Sequence, residues 1–482
     1  MTLNDEEKAM LHGEHGATLR LAMEHQLAVG RFFGAQDMVP VTQAHIMADT
    51  ESLGQAGVQW LEQLADAGGV VRIPTITDPR GTDFAHAQEL GQADWMVELE
   101  RRAIDAFIRL GVAMTDTCIN YQTVLPATRG EHVAYGDTGV VIYANSVFGA
   151  RSNYEGGPSA LSAALTGRTP RYGFHLDEKR QATIRFRVTH TPRTLDEWGA
   201  LGAVIGRKTG SYDQVPVVEG LEGAAGSDEI KHFGAAMASF GSIALFHVVG
   251  MTPEAPTLAS VGGQRLSDIH TVDESELVAF RRGYADGDTS VDVVVFSAPQ
   301  LSLYELRKLA ALAKGQSFRI PLLVTTSPQV KPDADRFGYT QAIESAGGTV
   351  LQGMCFYQSY AREMAEARGW RRLASNSAKL VNILGVMATS HGWPPWSNAY
   401  RPPSRENCND TTRIPRPSHL GVGAGEWLGA GGQRRLFRTL RPRSARRCFL
   451  SCLAQAVWPV VCQPHPDPGL RQRRCRHRLD AA

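Results

Sequence analysis

Between Val291 and Thr325 the chain alternates in a way that few folds accept. Val291-Asp-Val-Val-Val-Phe296 is a short β-branched run, Leu303 to Lys314 carries apolar residues at helical spacing, and Pro321-Leu-Leu-Val-Thr325 is a second apolar run. A strand buried on both faces, a helix, and another such strand make the unit from which parallel sheets are built. Gly139-Val-Val-Ile-Tyr143 and Ile243-Ala-Leu-Phe-His-Val248 share the short apolar character and are predicted strands. A helix is predicted from Asp5 to about Gly30, broken at Gly13 and Gly16, with acidic residues in the first turn where the helix dipole favours them. A second charged helix is predicted over Asp94 to Arg109. The predicted fold class is therefore α/β. A length of 482 residues exceeds what one core holds, so the body divides into two or three domains. The polar stretches 176–180 and 209–226 are candidate boundaries.

The formal net charge of +1 gives no overall case for nucleic acid or an acidic membrane. The average hides a skew, because no lysine follows Lys379, while residues 386–482 hold sixteen arginines against five acidic residues. The cysteines divide the same way. Cys118 and Cys355 lie in the patterned part, and Cys408, Cys448, Cys452, Cys462 and Cys475 lie in the tail. Two widely spaced cysteines in an α/β body suit a reducing compartment, where thiols serve as core residues, nucleophiles or metal ligands. The N-terminus is acidic and helix-starting rather than basic and then apolar, and no apolar run reaches membrane-spanning length. The expected location is the cytoplasm, with no membrane and no nucleic-acid partner.

The body is expected to span residues 1–385. From Val386 the sequence turns to Trp, Pro, Arg and Cys without helical or strand period, as in Trp393-Pro394-Pro395-Trp396, and an irregular tail over 386–482 is predicted. An arginine-rich nucleic-acid arm is one reading of it. The other is translation out of frame: back-translated with permitted codons and read one base earlier, residues 386–410 give a protein-like string that ends at a stop.

Several segments carry residues suited to chemistry. Gly13-Glu14-His15-Gly16 places a carboxylate and an imidazole at a helix break, where His15 could serve acid/base work or simply fill a loop. Asn145 to Pro158 packs amides, hydroxyls and one arginine into a short segment after a predicted strand. Asn145, Ser146, Arg151, Asn153 and Glu155 would suit a substrate carboxylate gripped by a guanidinium fork and amide donors, against the alternative of a capping loop. Ser239, in Ala238-Ser239-Phe240-Gly241-Ser242, stands where a backbone could approach a ligand closely. His247 reads as a core histidine. Ser375-Asn376-Ser377-Ala378-Lys379 offers hydroxyls and a single ammonium, or else an exposed helix cap.

The ordered string of motifs is more specific than any one of them. Gly13-Glu-His-Gly16, Met38-Val-Pro40 with Ala44-His45, Thr117-Cys118, Gly130-Glu-His-Val-Ala134, Tyr143-Ala-Asn-Ser-Val147, Glu155-Gly-Gly-Pro-Ser-Ala160, Thr166-Gly-Arg-Thr-Pro170, Leu245-Phe-His-Val-Val-Gly250 and Asn376-Ser-Ala-Lys379 together resemble the aconitase X family. The resemblance spans residues 1–385. It implies a three-domain aconitase-like α/β body and a hydro-lyase, acting on cis-3-hydroxy-L-proline or, alternatively, on 5-phosphomevalonate as a large subunit. It also implies an iron or iron–sulfur centre with Cys118 and Cys355 as metal ligands, catalytic roles for Lys379, Ser377 and His15, and a partner, a small swivelling-domain subunit that closes over the cleft. Where the family carries Gly-Cys-Pro-His this chain reads Ser297-Ala298-Pro299-Gln300, so the third thiolate position is Ala298. The resemblance therefore leaves room for an inactive scaffold with a defective metal site.

Overall fold

The computed structural model describes residues 1–284, 290–390 and the pair 458–459. Three parallel sheets organise it. The first has the order Thr75–Thr77, Ala44–Ile46, Ala134–Tyr135, and all of its pairings are parallel. The second runs His247–Val248, Pro216–Glu219, Ile184–Val188, Ile269–Val272, again parallel throughout. The third runs Gly348–Gln352, Leu322–Thr326, Val293–Leu301, Leu373–Ser375 in parallel and is extended by Trp458–Pro459 antiparallel to Leu373–Ser375. The predicted strand–helix–strand unit is present: Val294 pairs with Leu322, and the helix between them is Leu303–Ala313, opened by a Ser302–Glu305 capping box.

The helix Asp94–Arg109 forms as expected, and the N-terminal helix is broken into Asp5–His12 and Ala17–Phe32 at Gly13, which adopts φ 81°. Three expectations are corrected. Gly139–Tyr143 is helix, not strand: Asp137 caps a helix over Thr138–Tyr143 by accepting from the backbone N–H groups of Gly139 and Val140, and Ala144–Phe148 then widens into a π-helical turn. Of the run Ile243 to Val248 only His247–Val248 pairs in a sheet. The stretch 209–226 is no linker, since it contains the strand Pro216–Glu219.

Helices Leu195–Thr209 and Ser227–Gly241 cross at backbone contact, because a Cβ on Gly202 would stand 2.1 Å from Phe233 O. That close approach joins the largest core, around Trp198, Phe186, Phe233 and Phe246. The last helix runs Ala378–Ser390, past the expected boundary at 385. The rest of the predicted tail, Trp458–Pro459 apart, lies outside the described residues. Among the described residues no helix is long and apolar enough to cross a membrane.

Candidate active site

Parallel α/β sheets place loops, and hence chemistry, beyond the carboxyl ends of their strands. In the first sheet those ends lead into Asp49, Asp78 and Asp137, each buried. In the third sheet two of them lead into Met354-Cys355 and Asn376-Ser377, and Ser297 to Gln300 occupy the irregular second half of the strand Val293–Leu301, where its register shifts. The two sets are tied together. Arg80, two residues after Asp78, donates its N–H to Gly353 O at 3.0 Å and accepts from Cys355 N at 3.4 Å, and its guanidinium pairs with Asp116.

Gln300 holds the two cysteine-bearing loops side by side. Its carboxamide donates to Asp116 O at 3.1 Å and to Met354 O at 3.4 Å, and its backbone N–H donates to Cys118 Sγ at 3.3 Å. Ser297 Oγ lies 3.6 Å from Cys355 Sγ. Asp116 and Ala298, flanking these contacts, are non-glycine residues at φ 50° and 54°, a conformation that persists only where the surroundings impose it.

Lys379, in the first turn of the final helix, is buried and donates to Asp137 Oδ2 at 2.9 Å. Burial alone would pull its pKa down, but the Asp137 carboxylate raises it above the ordinary lysine value. Burial likewise pushes Asp137 up, and the Lys379 ammonium outweighs it and holds the carboxylate low. The pair is ionised. Asp78 differs: burial, then the like charge of Asp137, push it well above the usual carboxylate range. Gln358 Nε2 donates to Asp78 Oδ2 at 3.0 Å and to Asp49 Oδ2 at 3.3 Å, whereas Asp78 Oδ1 has no hydrogen-bond partner and lies 3.6 Å from His45 Nε2. His45 is neutral because burial lowers its pKa. Its Nε2 proton goes to Thr117 O at 2.9 Å, which leaves Nδ1 as an unpartnered acceptor. Burial also pushes the thiols up, Cys118 well above its ordinary value and Cys355 to about 12, and the Lys379 ammonium acts on both.

The remaining predicted residues fall elsewhere in the fold. Asn145 is buried with its amide donating to Ser152 O and Ala244 O, and Ser146 Oγ accepts from Phe246 N. Arg151 donates to His175 O at 3.1 Å and pairs with Asp177, while Asn153 bridges Tyr172 O, Phe174 N and the Tyr212 hydroxyl. Glu155 is buried, accepts from Thr169 at 2.9 Å and keeps Oε2 unpartnered; burial lifts it to about 7. Ser239 accepts from Asn382 and so packs against the helix that carries Lys379. Ser377 is buried, donates to Ala298 O and caps that helix at Leu380 N, so it touches the cysteine cleft. His15 is exposed in the turn between the first two helices. His247 is a core histidine whose Nε2 meets Arg180 O at 2.7 Å. Lys379, Ser377, Cys118 and Cys355 are thus brought together, with Asp78, Asp137 and His45 added by the fold. The one signal for these carboxyl groups is that Asp137 stands shortly after the apolar run Val133-Ala134-Tyr135 and ahead of a helix it caps.

The expected iron–sulfur centre is tested by this donor set. Two buried thiols contact the Ser297–Gln300 segment, the third position is Ala298, and among the described residues no group of three or more His, Cys, Asp or Glu is arranged to hold a metal ion. The residues present do not fit a cluster held by three thiolates.

Comparison with known proteins agrees over the whole body. Profiles of the aconitase X first, second and third domains match residues 1–178, 182–282 and 291–392. The phosphomevalonate dehydratase large subunit of Methanothermobacter thermautotrophicus is 34% identical over 402 residues, covering 83% of this chain and 98% of that one. The cis-3-hydroxy-L-proline dehydratase of Pseudomonas aeruginosa is 33% identical over 382 residues, 79% of this chain but 65% of that enzyme. The crystal structure of Thermococcus kodakaraensis aconitase X in its holo-form superposes with a TM-score of 0.72 at 33% identity, covering 82% of this chain and 96% of that one.

Proposed function

This chain belongs to the aconitase X family and is a hydro-lyase, and on that premise we propose that it dehydrates cis-3-hydroxy-L-proline at the cleft around Lys379, Asp137 and Asp78. The observation that carries this reading is the charge inventory of the cleft. One ammonium, Lys379, stands with two buried carboxyl groups, Asp137 and Asp78. That set suits a zwitterion: the substrate carboxylate turns to Lys379 and its ring ammonium to the Asp137 side. A phosphate with a carboxylate would bring about three negative charges toward a site whose Lys379 and Arg80 are already paired with Asp137 and Asp116, an uncompensated burial of charge.

Elimination needs an acceptor for the proton on carbon and a donor for the leaving hydroxide, because hydroxide is a poor leaving group. Neutral His45, with Nδ1 free to accept, takes the proton from the carbon next to the carboxylate. As the C–O bond breaks, the protonated Asp78 gives its proton to the departing oxygen, and the electron pair of the C–H bond becomes the new double bond. Water is released, and the cycle closes when the proton gained at His45 Nδ1 leaves to solvent and the Asp78 carboxylate takes one back, which restores the Nε2–H tautomer and the protonated acid. Ser377 is a positioning residue, holding the first turn of the Lys379 helix against Ala298. No step passes through an iron centre.

The second reading, 5-phosphomevalonate, is favoured by the near-complete coverage of large subunits bearing that name. Those names also support a small-subunit partner that would close the cleft and supply further contacts. The test is turnover of both substrates by the full chain supplied with the small subunit of a relative. Preference for cis-3-hydroxy-L-proline is expected, and turnover of 5-phosphomevalonate alone would reverse the assignment.

A further inference from the structure

The segment Ser297-Ala298-Pro299-Gln300 lies across both thiols. Ser297 Oγ accepts from Thr325 Oγ1 at 2.8 Å and from Phe356 N at 3.1 Å, so its own proton is left to point at Cys355 Sγ, 3.6 Å away. Three residues on, Gln300 N–H donates to Cys118 Sγ. Ala298 stands between those contacts in sequence, 1% exposed, with its carbonyl fixed by Ser377. A cluster shared by two loops cross-links them; here the Gln300 carboxamide does so by hydrogen bonding Asp116 O and Met354 O, while the buried Lys231 ammonium donates to Gln300 O at 3.2 Å and fixes the peptide from behind.

We propose that the cleft of this chain holds no iron–sulfur cluster, that the Gln300 bridge replaces it as the cross-link between the Cys118 and Cys355 loops, and that Ala298 is the single position at which a cysteine would complete a cluster-binding set. Two sulfurs held in hydrogen bonds, with no group of three or more His, Cys, Asp or Glu arranged for a metal among the described residues, do not supply the thiolate set that such clusters use. The inference concerns the metal state of the site and is independent of which hydroxy acid is turned over.

The experiment reads metal, not activity. The full-length chain and its Ala298→Cys and Ala298→Ser variants are incubated anaerobically with ferrous iron and sulfide and desalted. Iron, acid-labile sulfide and visible absorption are then measured, with circular dichroism reporting the fold. The wild type and Ala298→Ser are expected to retain neither iron nor sulfide, and Ala298→Cys to retain both along with a visible charge-transfer band. A wild type that keeps a cluster overturns the proposal whatever the variants do. A folded Ala298→Cys that stays colourless overturns the assignment of position 298. As a check on the cross-link, Gln300→Ala should increase alkylation of Cys118 and Cys355 by iodoacetamide in the native wild-type background, and unchanged alkylation would overturn the bridging role.

Discussion

Two lysines of this protein are buried against carboxylates, and they differ in what surrounds the pair. Lys231 meets Glu305, Asp228 at 3.4 Å and Gln300 O; Glu305 accepts in turn from His232 at 2.8 Å and Ser302 N at 2.9 Å, and Ser302 Oγ closes on Asp228 at 2.8 Å. No side-chain atom of Lys231, His232, Glu305 or Asp228 is left buried without a partner. Lys379 donates to Asp137 and stands 5.6 Å from the centroid of the Tyr357 ring, and among the described residues Asp78 Oδ1, His45 Nδ1 and Gln358 Oε1 have no hydrogen-bond partner. A satisfied network is a clamp between domains. An unsatisfied one keeps hydrogen-bonding capacity for something that binds. The same contrast separates the Lys379 site from the segment Asn145–Asn153, whose amides bond backbone groups and the Tyr212 hydroxyl and whose Arg151 pairs with Asp177.

The largest effect that sharpens this comparison is at Lys379. The double variant Lys379→Met with Asp137→Asn removes the ion pair without stranding a charge. It should fold with a melting temperature close to wild type yet lose turnover by ~10³-fold, equivalent to about 4 kcal/mol of transition-state stabilisation. At the other centre, Lys231→Met strands Glu305 in the interior and should cost about 3 kcal/mol of stability by denaturant titration, while turnover per folded molecule changes little. Loss of activity with intact stability at Lys231 would erase the distinction.

Glu155 is the member of the Asn145–Glu155 segment with an unpartnered buried oxygen, and its pKa is raised from 4.5 to about 7. The folded state therefore binds a proton that the unfolded state has lost between those values, so stability falls as pH rises from about 4.5 to about 7. Glu155→Gln should flatten that slope and stabilise the protein by about 2 kcal/mol above pH 7, read as melting temperature against pH. The smallest effect is at Arg151, whose partner Asp177 is largely exposed. Arg151→Ala should lower stability by about 1 kcal/mol or less and leave KM unchanged. A rise in KM would return the loop to substrate binding.

Much of the architecture was legible in the sequence, and the misses have physical reasons. The strand–helix–strand unit from Val293 to Thr326 and the helix Asp94–Arg109 announced themselves by period. Gly139–Tyr143 did not, because a short run buried on all sides looks alike as strand or helix; Asp137, accepting from Gly139 N and Val140 N, was the cap signal that separates them. Cys118, Cys355 and Lys379 were picked out through the family resemblance. Asp78 and His45 were not, since nothing in a lone Asp-Pro or an Ala-His pair reveals that two strand ends place them 3.6 Å apart. The Asn145 to Asn153 segment shows the converse: its amides and hydroxyls look like ligand donors in one dimension, and the fold adds the backbone partners that several of them have.

The central claim is that the unspent carboxyl of Asp78 performs the proton transfer. Asp78→Asn preserves the shape and the contact with Gln358 while removing the titratable proton. With the small subunit of a relative present and cis-3-hydroxy-L-proline as substrate, this variant should bind with KM within about threefold of wild type and lose kcat by ~10³-fold or more. Turnover by Asp78→Asn at a rate comparable to wild type would contradict the account.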